Sequence, residues 1–288
     1  MPLLIGGCGK SDVASDNHVY LRWLGVAGIE LTMGDQILVI DPFLTRPPLG
    51  KLLFKQIDPN HALVAKSVPR SDFLLVTHSH YDHLIDVSDI PGYTGASVYG
   101  SPNTSQLCSI LNVPQHQNHQ IHIGDHLSLG RFQVEVLPAE QQTTPIDHLI
   151  NGPLRPGLKP PLRVLDYRMD CCFSFRIQVG RYSLLHGAEP VPAEILCIAP
   201  FILSTRYKTL LQKVQPKLII PIHWDNMFRP LSKPLRRMFG PFSRLITQLR
   251  RMDPFEIKRE IEDFSGEVEV FIPELFRYYA INELLQVS

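Results

Sequence analysis

The sequence predicts an α/β fold in which two β-sheets pack back to back and helices cover their outer faces. Three observations carry that reading. Short apolar runs recur along the chain, each stopped by Gly, Pro or Asp. Amphipathic stretches with helical spacing lie between them. Each half runs strands, then a helix, then a strand whose end bears a histidine, at His78 and at His223. The 288 residues are 44% apolar, which suffices for a large core and excludes a disordered chain. Lys plus Arg and Asp plus Glu number 28 each, so net charge points to no nucleic-acid partner. One domain over residues 18–288 is expected, after a tail over 1–17.

The first strands lie in "VYLRWLGVAGIELTMGDQILVIDPF", around a turn at Met33-Gly34-Asp35. Ile37 to Ile40 is a continuous apolar strand stopped by Asp41-Pro42. Phe73 to Val76 is another, and "ASVYGS" is a short one. "SPNTSQLCSILNV" starts a helix, with Ser or Asn as cap and Leu107, Ile110 and Leu111 on one face. "HQIHIGDHLSLGRFQVEVLPA" alternates like hairpins around Gly124-Asp125 and Leu129-Gly130. Thr143 to Pro161 is rich in Pro and Gly and reads as a long loop, which in compact domains is usually functional.

In the second half, "CCFSFRIQVGRYSLLHG" is a hairpin around Gly180 and "ILCIAPF" a short strand. Tyr207 to Gln215 is a helix stopped at Pro216, and "KLIIPIHW" is a strand ending at His223. A helical stretch is expected from about Lys233 to Glu262, interrupted at Gly240-Pro241 and Pro254, before a strand in "EVEVFI". The five cysteines lack zinc-ribbon spacing, and Cys171 and Cys172 read as small core residues. No stretch reaches the roughly 20 apolar residues of a membrane span. "MPLLIGGCGKSD" has two readings: a bacterial lipoprotein cleavage region in which Cys8 carries lipid, or a flexible tail. The first places the chain in the cell envelope, the second in the cytoplasm.

Chemistry concentrates in "THSHYDH". His78, His80, Asp82 and His83 follow a strand end directly. Alternate residues of an extended segment point the same way, so His78 and His80 can share one ion. A turn after Tyr81 would aim Asp82 and His83 at a second point. Three histidines and a carboxylate so close together fit a metal far better than a solvated loop.

The His-x-His-x-Asp-His pattern after an apolar strand resembles the metallo-β-lactamase superfamily, over about Val19 to Ile281. That resemblance implies a four-layer αββα sandwich. It also implies that Asp41 lies near the metal cluster and that His223, in "LIIPIHWDNMF", is a ligand of the second metal. Within the superfamily the chain looks most like the branch with ascorbate-6-phosphate lactonase and the N-acyl-phosphatidylethanolamine phospholipase D type of phosphodiesterase. Two departures follow. Gln141 stands where the branch has the third histidine of the first metal, and Gly187-Ala188 stands where a Gly-Asp supplies the bridging aspartate.

Asp82, His83 and His223 remain a three-ligand set with an open position, a set that suits zinc and also iron or manganese. Asp82 and His223 are therefore the expected catalytic residues, beside one or two ions. Glu140, Gln141, His148, His186 and Glu189 are candidate substitute ligands or supporting residues. Between Met227 and Met252 lie Arg236, Arg237 and further basic residues, interleaved with apolar ones. This reads either as a docked helix with a solvated basic face or as an anion-binding, membrane-facing rim that holds substrate through Arg236 and Arg237. The functional expectation is a metal-dependent hydrolase that uses metal-activated water on a small-molecule or phospholipid-like phosphodiester, lactone or related ester. The competing expectation is a non-catalytic relative that binds a ligand, a lipid surface or a protein.

Overall fold

A computed structural model describes residues 18–48, 50, 55–139, 147–238 and 253–286. The tail with Cys8, and Glu140 and Gln141, lie outside the described residues.

Two seven-stranded sheets form the centre of the molecule. The first contains β1 (Val19–Gly25), β2 (Gly28–Met33), β3 (Gln36–Ile40), β5 (Phe73–Leu75), β6 (Ser97–Gly100), β7 (Asn118–Gln120) and β16 (Tyr278–Ala280). The second contains β8 (His126–Leu129), β9 (Phe132–Pro138), β11 (Phe173–Val179), β12 (Tyr182–His186), β13 (Ile195–Ile198), β14 (Leu218–Pro221) and β15 (Glu269–Val270). A two-stranded ribbon pairs β4 (Gln56–Ile57) with β10 (Leu162–Arg163). The sheet orders are β16-β1-β2-β3-β5-β6-β7 and β15-β14-β13-β12-β11-β9-β8. In each, a block of antiparallel neighbours changes to a block of parallel ones, at β3–β5 and at β12–β13. Ligand crevices in sheets with parallel strands form beyond strand carboxyl ends. Here β3, β5, β12 and β14 end in the segments carrying Asp41, His78 to His83, His186 and His223.

The hydrophobic pattern sets the layers. Leu38, Ile40 and Leu75 face Phe175, Ile177, Leu184 and Ile220 between the sheets. The opposite faces of the same strands are apolar too. Val39, Leu74 and Val98 pack under helices α1 (His61–Ser67) and α4 (Pro102–Ile110). Leu185, Leu196 and Ile219 pack under α6 (Pro200–Val214) and α7 (Pro254–Phe264). Strands buried on both faces read as continuous apolar runs, which is why Ile37–Ile40 and Leu218–Ile220 stand out in the sequence. The four-layer αββα sandwich is thus realised. Between α1 and α4 lie the one-turn helices α2 (Tyr81–Leu84) and α3 (Pro91–Thr94). Helix α5 (Asp147–Ile150) and α8 (Ile281–Leu284) are similarly short. Ser101 caps α4 by accepting from the Thr104 N–H, and Pro102 fills its first turn.

Four expectations are corrected. The segment His119–Ile123 does not form a hairpin arm with β8. Its strand pairs in parallel with β6, so the chain crosses between sheets near Gly124. The expected helix from Lys233 does not begin there. Residues 233–238 are non-helical, because the Arg236 carbonyl accepts from Asn226 N–H (2.7 Å) and the Met238 N–H reaches the Trp224 carbonyl (3.0 Å). Those bonds fold the segment back onto the chain after His223. Pro254 does not interrupt a helix but opens one, with Asp253 as its cap. The residues between, 239–252, lie outside the described ones. Finally, Cys172 is half-buried at a cavity rather than packed in the core. The four described cysteines are free thiols. Among the described residues, no helix is long and apolar enough to cross a membrane.

Candidate metal and substrate site

Strand β5 ends at Leu75, two residues before Thr77, and the chain turns at His80, which caps the one-turn helix α2 in extended geometry (φ −67°, ψ 154°). The His83 and Leu84 N–H groups both reach the His80 carbonyl (3.0 and 3.1 Å). This tight turn buries Asp82 and His83 side by side. His223 arrives from the other sheet, just past β14. Its backbone is left-handed (φ +59°), and its N–H is held by the Val26 carbonyl at 2.7 Å. A non-glycine residue in that region is uncommon and persists where surrounding bonds fix it.

The result is convergence. One ligand atom each from Asp82, His83 and His223 lie within 4.8 Å of one another. Asp82 Oδ2 is 3.5 Å from His83 Nε2 and 3.4 Å from His223 Nε2. His78 and His80 stand beside them, with ring centroids 4.7 Å apart and His78 3.9 Å from His83. All five residues line one cavity of about 240 Å³.

Hydrogen bonds set the ring tautomers. His83 Nδ1 donates to Asp41 Oδ2 at 2.7 Å, which turns Nε2 toward Asp82 and His223. Asp41 also accepts from the Thr77 N–H (2.8 Å) and from the Thr77 hydroxyl. With its proton on Asp41, the Thr77 oxygen accepts from His78 Nδ1 at 3.0 Å, leaving the lone pair of His78 at Nε2. His80 Nε2 donates to Asn151 Oδ1 (3.0 Å) and the Ile150 carbonyl (3.2 Å), leaving its lone pair at Nδ1. A ring anchored at one nitrogen presents the other as a metal ligand, the usual arrangement around bound metals. Burial, together with the neighbouring His83 and His80, holds the His78 pKa well below 6.5. Burial lowers that of His80 as well.

Burial also disfavours a charged Asp82, but His83 and the hydrogen-bonded His223 reverse this and hold its carboxyl far below the usual range. Burial alone would lower His83, yet Asp41 and Asp82 raise it from 6.5 to about 8. The metal-free protein therefore carries His83 as imidazolium at neutral pH. A folded pKa above the unfolded one contributes stability below about 6.5, and that contribution is lost as pH rises through about 8. A metal ligand must be deprotonated. Metal uptake at pH 7 is thus expected to release close to one proton per chain, and affinity should climb with pH and level off above about 8. Calorimetry in buffers of different ionisation enthalpy measures this. Uptake without proton release at pH 7 would contradict it.

The remaining expected residues fall in different places. His186 is buried at the cavity, and its Nε2 donates to the Ala27 carbonyl at 2.9 Å. Ala188 lines the same cavity, whereas Glu189 is half-buried and is not among its lining residues. The side chain of His148 lies outside the described ones. Arg236 is exposed, and Arg237 pairs with Asp253 and stacks over Phe255; neither lines the cavity. Thr77, Asn151 and Cys172 are functional neighbours that sequence reading misses. Thr77 had a signal, its place directly before the motif. Asn151 had none, because its role depends on a distant loop folding over His80.

A sandwich whose strand ends bring imidazoles and a carboxylate together in this way defines the metallo-β-lactamase-fold class of metal-binding proteins. Residues 37–188, more than half the chain, match the model of the β-lactamase superfamily domain. A UPF0173 metal-dependent hydrolase of Pelotomaculum thermopropionicum is 32% identical over 261 residues, 88% of this chain and 96% of that protein. One from Carboxydothermus hydrogenoformans is 28% identical over 222 residues, 72% of this chain and 84% of its own. The chain belongs to the metallo-β-lactamase superfamily and, within it, to the UPF0173 metal-dependent hydrolase family. Among solved structures, Igni18, a metallo hydrolase of Ignicoccus hospitalis, superposes with TM-score 0.57 over 91% of this chain and 97% of its own, at 16% identity. That likeness is one of fold.

Proposed function

We propose that the protein hydrolyses an ester-type bond, in a phosphodiester, a lactone or a related ester, with a divalent metal held by Asp82, His83 and His223. The observation that carries this reading is the convergence of those three donor atoms from two sheets onto one point of a cavity. The donor set fits an ion: one carboxylate and two imidazoles, with the His83 tautomer fixed by Asp41. Zinc suits this set, and iron(II) or manganese are the alternatives. When bound, such an ion acts as a Lewis acid and lowers the pKa of water towards about 7.

The chain's own residues do the rest. Asp82, charged and buried, accepts from the attacking water and orients it. Asp41 keeps the His83 ring in one tautomer, and Thr77 passes that order on to His78. His78 and His80 present lone pairs rather than N–H groups, so they favour a second, more weakly held cation over stabilising an oxyanion. The metal-dependent hydrolase relatives support hydrolysis, and the sequence resemblance to lactonases and phosphodiesterases supports the ester class. A second reading has one observation in its favour. Ala188 puts a methyl group at the cavity where a carboxylate is expected, which suits a protein that binds without reacting.

The test is chelation and reconstitution. Protein stripped of metal should not hydrolyse 4-nitrophenyl esters or bis(4-nitrophenyl) phosphate, and turnover should appear with zinc, manganese or iron(II). Metal binding without turnover of any of them would favour the binding protein.

A further inference from the structure

Resting on the hydrolase reading, we infer that the substrate part entering this cavity is small, uncharged and apolar: the acyl side of a carboxylic ester or lactone, not a phosphodiester. The walls carry the inference. Away from the histidines and carboxylates, most of the lining is carbon, from Ala27, Phe173, Ala188, Ile198, Ile202 and Ile222, with Thr77, Ser174 and two cysteines among it. These come from both sheets and from the first turn of α6, so the apolar wall is built by the fold and not by one loop.

Among the described lining residues there is no Lys or Arg, whereas two carboxylates, Asp41 and Asp82, are present. A phosphodiester carries a full negative charge, and enzymes that process phosphoryl groups surround them with Arg, Lys or metal clamps. Three described guanidinium groups in adjoining segments are committed elsewhere. Arg46 pairs with Asp225 at 2.6 Å, Arg168 donates to the Asn151 carbonyl at 3.0 Å, and Arg237 pairs with Asp253. Beyond the metal and the His83 imidazole, a phosphodiester here would find two carboxylates and apolar walls but no described Lys or Arg to pair with its charge, and burying an unpaired charge is strongly unfavourable.

Polarity is present in uncharged form. Ser174 Oγ and His186 Nδ1 are buried, belong to residues that line the cavity, and have no hydrogen-bond partner among the described residues. A hydroxyl can donate to a carbonyl oxygen, so Ser174 supplies what a neutral ester needs. Size agrees as well. The cavity volume, about 240 Å³, matches that of roughly eight water molecules, enough for a short acyl chain. Ile202 and Ala188 are then the residues that select for it.

The experiment compares charge at constant chemistry. Metal-loaded protein is given 4-nitrophenyl hexanoate and the mono-4-nitrophenyl ester of adipic acid, which differ by a terminal methyl or carboxylate. Wild type should favour the hexanoate by at least about tenfold in kcat/KM, chiefly through KM. Ile202→Lys should erase or reverse that preference. In parallel, saturation-transfer NMR on the metal-free protein should detect methyl hexanoate and not dimethyl phosphate, with the hexanoate signal reduced in Ile202→Lys. Preference for the adipate ester, or binding of dimethyl phosphate over methyl hexanoate, would overturn the inference. If no ester is turned over while methyl hexanoate still binds and is lost in Ile202→Lys, hydrolysis fails and the apolar ligand class stands.

Discussion

Asp82→Asn is expected to lower metal affinity by more than about 100-fold and to remove metal-dependent turnover with it. Exchanging a carboxylate that supports a metal typically costs 10- to 100-fold, and Asp82 is placed as a direct ligand. The substitution keeps the shape of the side chain but removes the charge that sits 3.4 Å and 3.5 Å from the two imidazoles. The amide is a weak ligand, so only His83 and His223 would remain at full strength. The metal-free variant should stay folded, since Asp41 still accepts from His83 and Thr77. Calorimetric titration of stripped protein with zinc measures the change. An affinity within a few-fold of wild type would mean that Asp82 is not a ligand.

Asp225→Ala should have the largest effect on stability, about 3–5 kcal/mol. Asp225 and Arg46 form an ion pair whose side chains are 0% and 1% exposed. Asp225 Oδ1 also accepts from the Val26 N–H at 2.9 Å, and the Val26 carbonyl holds the His223 N–H. Removing the carboxylate strands a buried guanidinium and frees the turn that fixes His223. An added Cβ at Gly25 would stand only 2.1 Å from Arg46, so the guanidinium has little room to move. The double variant Arg46→Met, Asp225→Leu should recover much of the loss, because no charge is then left unpaired. Urea unfolding monitors both. A loss below about 1 kcal/mol for Asp225→Ala would show that the pair is not the anchor.

Much of the fold was legible in the sequence because its central strands are buried on both faces. Ile37–Ile40 and Leu218–Ile220 therefore appear as unbroken apolar runs. The metal motif was legible because four ligand types fall within six residues, and His223 because it follows the second such run. Other features were hidden because they depend on contacts between distant segments. The basic stretch after Met227 has helical spacing of Leu and Phe, but its first part is held out of a helix by bonds to Trp224 and Asn226. Cys172 reads as a core residue, yet its Sγ lies 3.7 Å from His78 Nδ1. The Arg46–Asp225 pair joins residues that nothing local connects.

The central claim is that Asp82, His83 and His223 hold the tighter ion. Crystals of zinc-reconstituted protein, examined by anomalous diffraction at the zinc edge, test it most directly. The strongest peak is expected about 2.0–2.2 Å from the ligand atoms of all three residues, with any second peak weaker and beside His78 and His80. A strongest peak at His78 and His80 with none between Asp82 and His223 would contradict it.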